Sequence, residues 1–171
     1  MMSDENYIGI VFSKSGYDSE LYMATAEWCN ETQRARIVER EDCYECIAVP
    51  EPTFAQKKAE KLLGLKASFD ERVSGSFVCL LGWPMQFDRS DILAVEGAIQ
   101  LMHATEKSTS YLTDANDVTH YDLALSVITD IKLEMLAAYA QCHARKQELR
   151  KQINDAQSKG ELAAIEITWP V

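Results

Sequence analysis

The chain has 171 residues, which suits one domain or one domain with a small appendage. Its 47 % hydrophobic content is enough for a real core, and no apolar run approaches the ~18 residues of a membrane-spanning helix. A formal charge of −10 repels phosphate backbones and disfavours binding to DNA or RNA.

The acidic excess is uneven: residues 1–51 hold 11 acids and 4 bases, and the remainder 16 acids and 13 bases. The opening MMSDENYIGIVF carries acids where a secretory signal carries lysines, which argues against export. Tyr7 to Ser13 reads as a strand from its β-branched and aromatic content. Lys14-Ser15-Gly16 reads as a turn, with Gly16 free to take positive φ. Leu21 to Thr25 is expected to pair back as a second strand, and Ala35–Glu39 and Tyr44–Val49 to form two more around Glu41-Asp42. Residues 1–50 are thus expected to be a small acidic antiparallel β-module, closed by Pro50-Glu51-Pro52, which cannot join a sheet interior.

Residues 51–171 read as an α-rich domain. Thr53-Phe54-Ala55-Gln56 fits a capping box, and a helix over about 53–73 comes next, with Phe54, Leu62, Leu65, Phe69 and Val73 on its apolar face. Ser76 to Asp88 reads as a hairpin bent at Gly82-Trp83-Pro84. A helix over about 90–105 is capped by Asp88 or Ser90 and carries the stripe Ile92, Val95, Ile99 and Met102. Tyr111 to Asp122 reads as a second hairpin turning at Asp114-Ala115-Asn116-Asp117.

The long helix, about 126–155, dominates the chain. Ser126 to Asn154 contains no Gly and no Pro and is rich in strong helix formers. Ile128, Ile131, Met135, Tyr139, Cys142, Leu149 and Ile153 form one stripe, which at 1.5 Å per residue runs along about 43 Å. Ser158 to Glu161 caps a short helix over about 160–165. The fold class is therefore α+β: a small β-module, then a helical domain with two β-hairpins and one long C-terminal helix.

Little in the chain carries chemistry. Five cysteines and no export signal point to free thiols. Cys43-Tyr-Glu-Cys46 has the C-x-x-C spacing, but it lacks the second ligand pair of a zinc site and precedes a strand rather than opening a helix. Two half-buried strand cysteines are expected instead. Asp114, Asp117, His120 and Asp122 could offer oxygen ligands, yet the calcium-loop pattern is absent and a polar turn is the ordinary reading. Nucleotide-binding glycine loops and the G-x-S-x-G nucleophile motif are also missing, so neither a catalytic residue nor a cofactor or metal site is assigned. Arg145, Lys146, Arg150 and Lys151 complement the dipole at the end of the long helix, with anion binding as the alternative.

Several stretches resemble a known family. They are Pro50 to Leu65 (PEPTFAQKKAEKLLGL), the hairpin Phe77 to Phe87 leading into Asp88 to Leu93, Tyr111 to Tyr121 (YLTDANDVTHY), the long helix and Glu161 to Ile165. Their order over roughly 120 residues resembles the tail-fibre assembly, chaperone-like proteins of tailed bacteriophages and prophages. It also resembles a C-terminal domain of unknown function in phage tail proteins. The resemblance implies a non-catalytic protein that binds a tail-fibre protein in the cytoplasm of an infected or lysogenic bacterium. A structural tail or baseplate component that stays in the virion, and an acidic interaction or inhibitor protein, are the alternatives.

The helices over about 53–73 and 90–105 are too short to cover the ~43 Å of the long helix. The end around Cys142, Leu149 and Ile153, flanked by Arg145, Lys146 and Arg150, is expected to project and to bind a fibre protein or a second copy. The competing reading has the short helix and Trp169 fold back over that end within one chain.

Overall fold

The computed structural model describes residues 7–170. They form an α+β protein of two compact units, Met1–Thr53 and Phe54–Val171.

The first unit contains β1 (Val11–Ser13), α1 (Ser19–Thr32), β2 (Ala35–Glu39) and β3 (Cys43–Ala48). The strands form an antiparallel sheet in the order β1-β3-β2. Leu21 to Thr25, expected as a strand, lies in α1. Asp18 starts that helix by accepting the backbone N–H groups of Glu20 and Leu21. Thr25, a β-branched residue that favours strands, fits the helix because its hydroxyl donates to the Leu21 carbonyl at 2.8 Å. Gln33 closes the helix in the left-handed region, its N–H donating to the Cys29 carbonyl. The first strand is shorter than expected because Gly9 adopts φ 93° and turns the chain ahead of Val11; Gly16 does not take positive φ. Cys29, Ala35 and Cys46 form the small core, bordered by Tyr7, Trp28 and Ile37.

The second unit runs α2 (Phe54–Val73), β4 (Ser76–Val78), β5 (Pro84–Gln86), α3 (Arg89–Thr105), β6 (Thr109–Thr113), β7 (Thr119–Ala124), α4 (Leu125–Asp155) and α5 (Lys159–Ala164). The strands make two separate two-stranded antiparallel sheets, β4-β5 and β6-β7, the latter with an irregularity at Tyr111. Asp88 is the cap of α3 and forms a capping box with Asp91. Strand β7 runs into α4 at Ala124 with no side-chain cap.

Helices α2 and α3 pack on α4, and the expected stripes meet there. Phe69, Val73, Ile92, Val95, Ile99, Met102, Ile128, Ile131, Met135 and Cys142 are all buried in one cluster with Met85, Phe87 and Leu112 from the hairpins. Burying each large side chain contributes roughly 1.5–3 kcal/mol before chain entropy is counted. A second cluster joins Leu65 of α2, Leu149 and Ile153 of α4, Ala156 just after α4, and Leu162 of α5.

That second cluster corrects the expectation of a projecting helix. Leu149 and Ile153 are both 0 % exposed, and Cys142 is buried as well. Helix lengths alone leave out the chain after α4: α5 turns back, and Ile165, Ile167 and Trp169 border the same cluster. The returning segment is held by polar contacts. The Trp169 indole N–H donates to Ser68 Oγ at 2.8 Å, Lys61 donates to the Leu162 carbonyl at 2.6 Å and Arg72 to the Pro170 carbonyl at 3.4 Å.

Candidate functional site

Of the residues expected to bind a partner, Cys142, Leu149 and Ile153 are core residues, and burial pushes the Cys142 thiol upward in pKa although Arg72 opposes it. Two of the bases are turned inward on their own chain. Arg145 pairs with Glu148 at 2.7 Å and donates to the Thr168 carbonyl, while the Lys146 ammonium sits 3.9 Å from the centre of the Phe69 ring. Arg150 and Lys151 are exposed. The structure therefore does not assemble these residues into a surface seam.

A different surface is available at the hairpins. The β4-β5 strands are three residues each, too short to bury the loop between them. Val78 is 70 % exposed and Leu80 92 %, with Leu81 half exposed beside them. The loop is held in place: the Leu80 N–H donates to the Glu134 carboxylate of α4 at 2.8 Å, and the Gly82 N–H to the Cys79 carbonyl at 2.8 Å. Gly82 takes φ 80°, which a side chain would strain. Between the hairpin and α4 lies a recess of about 290 Å³, lined by Val78, Leu80, Ala137, Ala138 and Gln141 among others. A second recess, about 380 Å³, opens between α3 and β6, with Gln86, Asp91, Ser110 and Thr113 among its lining residues. Burial and the nearby Asp88 charge raise the Asp91 carboxyl.

The two hairpins are joined by a polar node. His120 Nε2 lies 3.1 Å from Asp114 Oδ2, and the imidazole stacks on Trp83 at 3.7 Å with planes 10° apart. The backbone N–H groups of Asn116 and Val118 donate to Asp114 Oδ1, and the Ala115 N–H donates to the Pro84 carbonyl at 2.7 Å. Burial pushes the Asp114 carboxyl up, but the hydrogen bonds from His120, Val118 and Asn116 outweigh it, so its pKa falls below the ordinary value. Asp117 and Asp122, also considered as cation ligands, take left-handed φ of 62° and 53° and are exposed. No group of three or more metal-ligating side chains converges among the described residues. No described helix is long and apolar enough to cross a membrane.

The exposed apolar loop of the β4-β5 hairpin is thus anchored to α4 and borders a shallow recess. The chain belongs to the family described as a domain of unknown function, DUF4376, whose model matches residues 56–168. No curated protein and no solved structure matches the chain.

Proposed function

We propose that this protein is a non-catalytic tail-fibre assembly factor that holds a fibre protein by direct contact, in the cytoplasm of an infected or lysogenic bacterium. The observation that carries the mode of action is Leu80, 92 % exposed on a loop anchored to α4 by Glu134. A large aliphatic side chain presented on a fixed loop gains apolar burial when a partner covers it, with little loop ordering to offset the gain. Val78, Leu81 and the adjoining recess extend the same surface. The phage setting rests on the resemblance carried by Pro50–Leu65, Phe77–Leu93 and Tyr111–Tyr121.

Co-expression with a phage tail-fibre protein tests this reading. The expected result is a rise in soluble fibre, a complex that survives size-exclusion chromatography, and absence of the factor from purified particles. Leu80→Asp removes the complex while leaving the thermal midpoint of the factor unchanged. Recovery of the protein from purified particles would favour a structural tail component, and no effect on fibre solubility together with no complex would overturn both.

A further inference from the structure

The core of the first unit contains two thiols in contact. Cys29 on α1 and Cys46 on β3 place their sulfurs 3.6 Å apart, and both side chains are buried. Cys43, the other half of the C-x-x-C sequence, is not part of this pair. Three residues along a strand reverse the side-chain direction, so Cys43 and Cys46 point to opposite faces of the sheet. The C-x-x-C spacing therefore concealed a pairing between residues 17 apart in sequence.

We propose that Cys29 and Cys46 form an oxidisable dithiol that closes to a disulfide, tying α1 to β3, when the protein meets a peroxide. Bond formation asks the sulfurs to approach by about 1.5 Å, to the ~2.05 Å of a disulfide, which is within reach of side-chain rotation. Cys46 is fully buried and its thiol is pushed up to about 11, by burial first and then by Cys29, so it is the poorer nucleophile. Cys29, at 8 % exposure, is the less buried residue of the pair and reacts first. The Cys29 thiolate attacks one peroxide oxygen, the O–O bond breaks, and the departing hydroxide takes a proton to leave as water. The resulting sulfenic acid is then attacked by the Cys46 sulfur. The S–O bond breaks, and the Cys46 proton leaves with the hydroxyl as a second water. Two thiols are oxidised by two electrons and one hydrogen peroxide is reduced to two waters. The other cysteines are not so paired: Cys43 is on the far face of the sheet, and Cys79 and Cys142 belong to the second unit.

The full chain, reduced, is treated with hydrogen peroxide, quenched with catalase, denatured and titrated for thiols. The expected result is a fall from five thiols to three and a mass lower by about 2 Da, both reversed by dithiothreitol. The thermal midpoint of the first unit rises in the oxidised form, because the bridge restricts the unfolded chain. In a Cys43→Ser protein the bridged peptides identify Cys29 and Cys46 unambiguously. The Cys29→Ser protein retains four thiols after the same treatment, whereas in Cys46→Ser the Cys29 sulfenic acid has no partner, leaving three thiols and a mass higher by about 16 Da or more. In the wild-type protein, five remaining thiols, a bridge between any other two cysteines, or oxygen added at Cys29 without a bridge would overturn the proposal. Should a serine variant fail to fold, the peptide map of the Cys43→Ser or wild-type protein decides.

Discussion

Replacing Leu149 by alanine tests whether the far end of α4 is a core or an interface. The side chain is 0 % exposed and packs in a cluster with Leu65, Ile153, Ala156 and Leu162, which come from α2, α4, α5 and the link between the last two. Truncation removes three carbons, about 2.4 kcal/mol at ~0.8 kcal/mol each. A residual cavity of about 50 Å³ adds about 1.2 kcal/mol, for a total near 3.5 kcal/mol. The second unit spans Phe54–Val171, 171 − 53 = 118 residues. At about 2.1 cal/mol/K per residue its unfolding entropy is roughly 0.25 kcal/mol/K, so the midpoint falls by about 14 °C. Far-UV circular dichroism on heating and urea titration both measure this, and light scattering tracks the oligomeric state. A loss below about 1 kcal/mol accompanied by a change in oligomeric state would refute the packing and restore the projecting interface. For the same reason, Leu149→Asp with Ile153→Asp unfolds the second unit instead of leaving a folded monomer.

Asp114→Asn weakens the node between the hairpins, lowering the thermal midpoint at pH 7. Because the folded-state pKa of Asp114 is depressed, its carboxylate stabilises the fold above the unfolded value near ~3.9 and this is lost as pH falls through the folded pKa. Wild type and variant midpoints therefore converge below about pH 4, and an undiminished gap there would contradict the assignment. A fragment of residues 54–171 gives a cooperative thermal transition by itself, since the clusters around α4 draw on that stretch alone; a broad, non-cooperative melt would show that it leans on the first unit. Leu80→Asp changes stability by no more than about 0.5 kcal/mol, because its side chain already lies in solvent, and a larger loss in urea titration would mean that the loop packs more tightly than described.

The three long helices of the second unit were legible because their apolar residues repeat at helical spacing and their burial matches that spacing. Helix α1 was not, because its buried face consists of Thr25 and Cys29, which draw no apolar stripe, while Leu21, Tyr22 and Met23 imitate a strand. The cover over Leu149 and Ile153 was one of two readings the sequence left open, and its pattern could not decide between them. That cover comes from contacts such as Trp169 with Ser68, 101 residues apart, which no local pattern encodes. Asp114 and His120 were visible as a polar cluster, but their bond to each other depends on the strands of β6 and β7 folding face to face. The exposure of Leu80 stems from strands only three residues long, a boundary that sequence reading places poorly.

The closing segment has a topological consequence. Phe54, at the first turn of α2, and Ile165, Ile167 and Trp169, near the other end of the unit, border one apolar cluster. The segment from α5 onward runs along α2, with Lys61 donating to the Leu162 carbonyl, Ser68 accepting from the Trp169 indole and Arg72 donating to the Pro170 carbonyl. Pro170 is thus held at the end of α2 opposite Phe54, and the last stretch of the unit clasps its first helix along its length. Peeling that stretch away uncovers both apolar clusters, since Trp169 borders each of them, so the first and last segments of the unit come apart together.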